Sequence, residues 1–504
     1  MGKLSWATKA CGVVLLWAAA AIALPAQTTA VSSGPPVFTR LLNLNGTDGD
    51  SPYGLVQAAN GDLYGTTAFG GANNSCPDGC GTVYKIALSG VLTTLHNFDG
   101  TDGSISEVTL VQGTDGNFYG TTFAGGTKGG CTPLNNVVGC GTVFKITPSG
   151  TLTTLHSFDG TDGAYPDGAL VEGTDGSFYG TTYYGGENLC YGNADGCGTI
   201  FKVTPNGTFT MFHEFDGTDG QNPNAGLVQD TDGNFYGTTA EGGGEGCESY
   251  GGCGSVFKIT PGGALTTLYS FGSESGDGHE PEGGLVQGND GDFYGTTFYG
   301  GANNNGSVFK ITPSGALTTL YSFDFTDGFG PTATLILGTD GNFYGTTSMG
   351  GASDCTMYYY EGCGTVFVIS PSGALTTLHN FDFGEGSDPY TALLQDTNGI
   401  FYGTTAQTQA GAYAGGTVFS LSVGLGPFVT TNPAAGKVGA TVGILGTNMT
   451  GATGVKFNGN ETAFRVVSST FIEAKVPSGA TTGMVQVKLP GGTLSSNVPF
   501  IVLR

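Results

Sequence analysis

Ten of the eleven cysteines in this 504-residue chain fall in five close pairs: Cys76 with Cys80, Cys131 with Cys140, Cys190 with Cys197, Cys247 with Cys253, and Cys355 with Cys363. Paired thiols at such spacings either form bridges or hold a metal as thiolates. No histidine lies within these segments, so the reading is five disulfides, each pinning one loop. Four of the five histidines, His96, His156, His213 and His379, share one recurring position that Tyr269 and Tyr321 fill elsewhere. A position that accepts tyrosine reads as a packing slot, not a catalytic base. His279 stands apart, near Asp277 and Glu280. A hydrolytic triad needs a unique serine beside a base, whereas serine and threonine here recur with the period, so no catalytic residue is assigned.

The carboxylates fall into two sets. The links Asp99-Gly-Thr-Asp102-Gly, Asp159-Gly-Thr-Asp162-Gly and Asp216-Gly-Thr-Asp219-Gly, with Asp324 and Asp327, recur. They set two carboxylates near free carbonyls, the kind of oxygen ligands calcium takes. These six aspartates of the first three links are the candidate Ca2+ ligands, and no other cofactor is expected. Asp230-Thr-Asp232-Gly-Asn234 also resembles part of a calcium loop, but its counterparts Thr174-Asp175-Gly176 and Asp396-Thr-Asn398-Gly399 carry fewer acids and read as hairpin turns. Glu107, Glu172, Glu241, Glu245 and Glu282 are the acids outside the period. An enzyme cleaving polysaccharide would need two such groups about 5–10 Å apart in a cleft, and linear spacing selects no pair.

Charge narrows the partners. The net charge of −25 is concentrated in residues 31–425, where 38 acids face seven bases. Such a body repels nucleic acid and anionic lipid. A glycan or an extracellular protein remains as the expected partner.

The elements that position these residues are repeated. Gly-Ser-Phe-Tyr-Gly-Thr-Thr and its variants place a tyrosine at 64, 119, 179, 236, 294, 344 and 402. In the third copy, residues 169–172, 177–182, 199–204 and 208–215 read as four strands. Asp-Gly and Asn-Gly turns join the outer pairs, and a variable loop carrying the cysteines joins the middle pair. Seven four-stranded units predict a seven-bladed β-propeller. The seventh unit lacks a fourth strand, and Val37 to Leu44 matches it, so the N-terminal segment is expected to close the ring. If the strands run up and down, the links and the cysteine loops share one face, which is where binding is expected.

Two further segments flank residues 31–425. Residues 1–30 hold Lys3 and Lys9, an apolar run from Cys11 to Leu24 and small residues near Ala26, the pattern of a signal peptide. The run is too short for a membrane span, so the mature chain is expected outside the cytoplasm, in the extracellular space, at the cell surface or in the periplasm. Residues 426–504 turn basic and valine-rich, with short alternating strands that predict a small β-sandwich. The fold class is therefore all-β, a seven-bladed propeller followed by an immunoglobulin-like sandwich.

Asp-Gly-Asn-Phe-Tyr-Gly-Thr-Thr, then Gly-Gly, then Gly-Thr-Val-Phe-Lys-Ile-Thr-Pro-Ser-Gly, over residues 37–421, resembles the GloVer (Gloeo-Verruco) repeat of exported bacterial choice-of-anchor proteins. The tail resembles an IPT/TIG domain through Gly446-Thr-Asn448, Gly451-Ala-Thr-Gly-Val-Lys-Phe-Asn-Gly and Val476-Pro477. The resemblance implies an exported repeat protein of no established activity, often tethered by a C-terminal sorting signal. Val498-Pro-Phe-Ile-Val-Leu-Arg504 departs from such a signal. The expectation is non-catalytic binding or scaffolding outside the cell; the alternative is a propeller enzyme acting on polysaccharide.

Overall fold

The computed structural model describes residues 34–503 except 88, 133–136, 191–194, 245–246, 248–251, 273–275, 353–354, 358–359 and 408–414. The expected signal peptide and Glu245 lie outside the described residues.

The Phe-Tyr-Gly-Thr-Thr segment, Leu-Tyr-Gly-Thr-Thr in the first blade, forms the second strand of every blade because aromatic and β-branched residues suit a pleated surface buried on both sides. In the third blade Val171–Glu172, Phe178–Thr182, Thr199–Val203 and Phe209–Glu214 pair antiparallel in sequence order. Blades two to six repeat this order, and blade one adds Asp50–Pro52 to it. The glycine after the tyrosine is required by its neighbours: a Cβ at Gly180 would stand 2.6 Å from the Phe201 ring and 2.7 Å from Leu170. Only glycine lets the third-strand phenylalanine lie across the sheet there.

Blades hold one another through aromatic stacks. The tyrosine of the second strand stacks on the next blade's phenylalanine, as Tyr64 on Phe118, Tyr119 on Phe178 and Tyr236 on Phe293, with centroids 4.1, 3.8 and 4.2 Å apart. A glutamine at the end of the inner strand adds a clip: Gln112 Oε1 accepts from Ala59 N, Gln229 Oε1 from Thr174 N and Gln395 Oε1 from Thr339 N.

The ring closes where Val37–Asn43 pairs antiparallel with Thr417–Ser422, in a sheet that also holds Leu394–Gln395 and Phe401–Thr405. Gln57 Oε1 accepts from Thr397 N across the same junction. Leu63 and Leu44 replace the usual phenylalanines there, and the seam is filled by Leu44, Leu55, Leu63, Tyr84 and Val418, all buried, with Tyr402 packed against them.

All five expected disulfides are present. Cys76 is bonded to Cys80, Cys131 to Cys140, Cys190 to Cys197, Cys247 to Cys253 and Cys355 to Cys363, with Cα separations of 5.2–5.4 Å. In each pair the second cysteine is buried against the blade: Cys80, Cys140, Cys197, Cys253 and Cys363 belong to the aromatic cores, directly before the third strand. The first cysteine, out on the variable loop, is thereby tied down to a rigid strand. Each bridge closes a loop of nine residues or fewer, for which chain entropy supplies roughly 2–3 kcal/mol. The stacks that join the blades lie elsewhere. Mild reduction is therefore expected to raise backbone exchange in these loops while leaving the far-ultraviolet dichroism of the ring unchanged; collapse of the dichroism would show that the bridges hold the ring itself.

The C-terminal sandwich packs two four-stranded sheets. One holds Thr430–Asn432, Thr441–Leu445, Phe471–Lys475 and Phe464–Val466; the other holds Asn460–Thr462, Gly454–Phe457, Val485–Leu489 and Gly492–Ser495. Its core of Val442, Ile444, Val455, Phe457, Ile472, Val487 and Phe500 is buried without a disulfide. Ring and sandwich form one compact unit. Hydrogen bonds join them at the tight-turn face: Thr470 Oγ1 to Ala59 O, Asn432 Nδ2 to Gln112 O, Asn497 Nδ2 to Leu337 O and Phe428 N to Thr397 O. These contacts fall on blades six, seven, one and two, which are consecutive around the ring.

Candidate functional site

The segment that leads into each inner strand bends sharply at the opposite, variable face. Ser51, Ile105, Tyr165, Asn222, Glu280, Gly330 and Asp388 all take left-handed φ between 53° and 62°. A proline follows in six blades and Ser106 in the second. A left-handed residue before a fixed-φ proline turns the chain over the rim, and the next side chain lands at the axis. Those seven residues are Tyr53, Glu107, Asp167, Asn224, Glu282, Thr332 and Tyr390, which together line a cavity of about 410 Å3 with Phe298 and Met349.

Three carboxyls line this mouth: Glu107, Asp167 and Glu282. Each is half-buried in the cavity wall. Burial raises Glu282 to about 7, with Glu280 adding to the rise. Burial likewise raises Glu107, offset in part by the Tyr53 hydroxyl beside it. Asp167 goes well above the usual carboxylate range through burial and then through repulsion from Glu107 and Glu282. Groups whose surroundings push them toward neutral pH can exchange protons there.

Glu107 and Glu282 are thus brought together, while Glu172 and Glu241 are not. Glu172 occupies the glutamine clip position and accepts from Thr114 N and Oγ1 at the tight-turn face. Glu241 accepts from Gln221 Nε2 at 2.7 Å on the variable face. The linear reading does not single out Asp167, because its neighbours look like any other link. The signal that could have found it is the column itself, one position of a regular repeat that holds five residue types in seven copies.

The link aspartates serve their own turns. Asp99 Oδ1 accepts from Thr101 N, Thr101 Oγ1 and Asp102 N, and Asp159 and Asp216 repeat the pattern with Thr161 and Thr218. The Thr101 and Thr218 hydroxyls hold Asp99 and Asp216 below the usual carboxylate range. The second aspartate bonds the recurring ring: His96 Nε2 to Asp102 at 2.7 Å, and His156 to Asp162 and His213 to Asp219 at 2.8 Å. Tyr269 and Tyr321 bond Asp277 and Asp327 in the same way, and His379 bonds Glu385. The slot read as packing is therefore also a hydrogen-bonding clasp, which tyrosine and histidine share because both end in a polar atom at a similar reach. Among the described residues no group of three or more His, Cys, Asp or Glu is set to hold a metal ion.

Profiles of known families match most of the chain. The Gloeobacter/Verrucomicrobia repeat matches residues 28–251, 130–359 and 247–463, and the IPT/TIG domain matches residues 427–502. A search of curated proteins returned no match. Among solved structures, a fungal alcohol oxidase of the AA5 family in complex with copper aligns with a TM-score of 0.51 at 12% identity, covering 93% of this chain and 99% of that one. A putative 6-phosphogluconolactonase from Bacteroides uniformis aligns with a TM-score of 0.41 at 15% identity, over 64% and 83% of the two chains. A putative gluconolactonase gives 0.37 at 10% identity, over 78% and 93%. At such identities a likeness speaks to the fold alone.

Proposed function

The chain belongs to the Gloeobacter/Verrucomicrobia repeat family and carries a C-terminal IPT/TIG domain, and from that premise we propose an exported, non-catalytic binding protein whose ligand, a glycan or an extracellular protein segment, seats at the channel mouth. One observation carries this reading. Seven segments that bend alike before the inner strands present differing side chains around a single cavity at Tyr53, Glu107, Asp167, Asn224, Glu282, Thr332 and Tyr390. A scaffold that repeats its core and varies its rim suits recognition. The five disulfides fit an oxidising compartment, and among the described residues no helix is long and apolar enough to cross a membrane.

Binding of the full chain to immobilised glycans and extracellular proteins, wild type beside Tyr53→Ala/Tyr390→Ala, tests the reading. The expected result is a ligand retained by the wild type and released by the double variant. A ligand held equally by both would put recognition elsewhere and overturn it.

A second reading, an enzyme acting on polysaccharide, draws on the carboxyls raised toward neutrality in the same cavity, since a general acid must hold its proton near the working pH. Release of reducing ends that Glu107→Gln or Glu282→Gln abolishes would favour it over simple binding.

A further inference from the structure

We propose that the channel mouth is a site for an organic ammonium group, carried by an amino sugar or a polyamine; this rests on the channel mouth being the binding site. Glu107, Asp167 and Glu282 line one cavity, and no lysine, arginine or histidine lines it with them among the described residues. The titratable groups that face these three, Tyr53, Tyr183, Tyr390 and Glu280, include no cation, and His279, whose Nδ1 stands 3.6 Å from Glu280 Oε1, does not line the cavity. Carboxylates withdrawn from water are ordinarily paired with a cation. Here they take up protons instead, unless a cation is supplied from outside.

A second observation concerns hydrogen bonds. Asn224 Oδ1, on the same rim, is wholly shielded from solvent and has no hydrogen-bond partner among the described residues. The arc from blade two to blade five therefore offers acceptors in excess: three carboxyls and one orphaned amide oxygen. A ligand rich in N–H donors satisfies the three carboxyls directly and reaches the Asn224 oxygen once that side chain turns toward the cavity, whereas an anion or an ester brings no N–H donor to them.

The rest of the rim selects an organic cation over a metal ion. The carboxyls come from blades two, three and five and do not gather closely enough to ligate one ion among the described residues. Tyr53 and Tyr390, from blades one and seven, are near neighbours on the remaining arc. Their rings supply faces for an alkylammonium, and their hydroxyls add polar contacts. With the mouth empty, the raised carboxyls are partly protonated near neutral pH, so a bound ammonium drives protons off them.

Calorimetry on the full chain at physiological salt provides the test, with a glucosamine tetramer, spermidine and the neutral N-acetylglucosamine tetramer as probes. Ammonium probes are expected to bind with net proton release, read from the dependence of the heat on buffer ionisation. Asp167→Asn and Glu107→Gln/Glu282→Gln are expected to weaken them by about tenfold or more, while Asp99→Asn on an outer link leaves affinity unchanged. Which ammonium probe binds tighter names the source. Equal weakening by Asp99→Asn would mean diffuse attraction to an acidic surface and would overturn the proposal. So would absence of heat with both ammonium probes. Equal binding of the neutral tetramer, insensitive to the carboxyl variants but lost in Tyr53→Ala/Tyr390→Ala, would overturn the ammonium assignment while leaving the binding reading standing. Melting curves of each variant confirm that it is folded.

Discussion

Deleting residues 34–45 is expected to lower the melting temperature by more than about 10 °C and to leave a chain that self-associates. The segment supplies the outer strand of the seventh blade, with Val37 to Asn43 registered against Ser422 to Thr417. Phe38 stacks on His379 at 4.0 Å and on Phe419 at 5.3 Å, and Leu44 is buried in the seam beside Tyr84. Each such side chain contributes about 2 kcal/mol through burial, and Arg40 adds a hydrogen bond to Gly384 O. Without them Thr417–Ser422 becomes an exposed edge strand, a template for pairing with another copy. Deleting residues 428–504 removes a body with its own core, together with the hydrogen bonds at the tight-turn face and the packing of Val498 near Leu337. A smaller drop is expected for it. Thermal unfolding of both truncations checks this, and equal drops would defeat the closure argument.

Asp167→Asn is expected to stabilise the protein at pH 8 and to leave it unchanged near pH 4. The folded state raises Asp167 well above its ordinary 3.8 and Glu282 from 4.5 to about 7, so it holds these protons more tightly than the unfolded chain does. Stability from such groups is fully present below the unfolded values and is lost as pH rises through the folded ones. Asp388 and Asp396, raised by burial to about 7 and about 6, act in the same direction. Asp99 and Asp216, held low by their turns, act oppositely but over a lower pH window. A shift the size of Glu282's corresponds to on the order of 3 kcal/mol, less what water in the mouth screens. The ligand-free wild type should therefore lose stability between about pH 4 and pH 7, and Asp167→Asn should flatten part of that slope. Melting curves across this range decide it. A gain as large at pH 4 as at pH 8 would show that the asparagine acts through packing and not through charge.

These predictions draw unequally on sequence and structure. The seven units, their strand order, the closing strand and the cysteine pairs were legible in the chain because each is local or periodic. A turn at Asp175-Gly176 specifies its own hairpin, and a strand missing at one end must be sought at the other. Each disulfide spans nine residues or fewer, so its partner is its neighbour: Cys76 has Cys80 four residues on, and even Cys131 reaches Cys140 within one loop. The clasp between His96 and Asp102 spans only six residues, yet repetition alone showed that the position recurs, not which atoms it bonds. That needed the path of the link back over the outer strand. Where the sandwich sits was equally out of reach, since its contacts with Ala59, Gln112, Leu337 and Thr397 join segments far apart in the chain. The channel mouth is the clearest case. Glu107, Asp167 and Glu282 belong to three blades, and their spacing by whole repeats marks them as one column without bringing them together. Only closure of the ring sends one column of the repeat to a common axis, and only there do three separate carboxyls come to share one cavity and feel one another's charge.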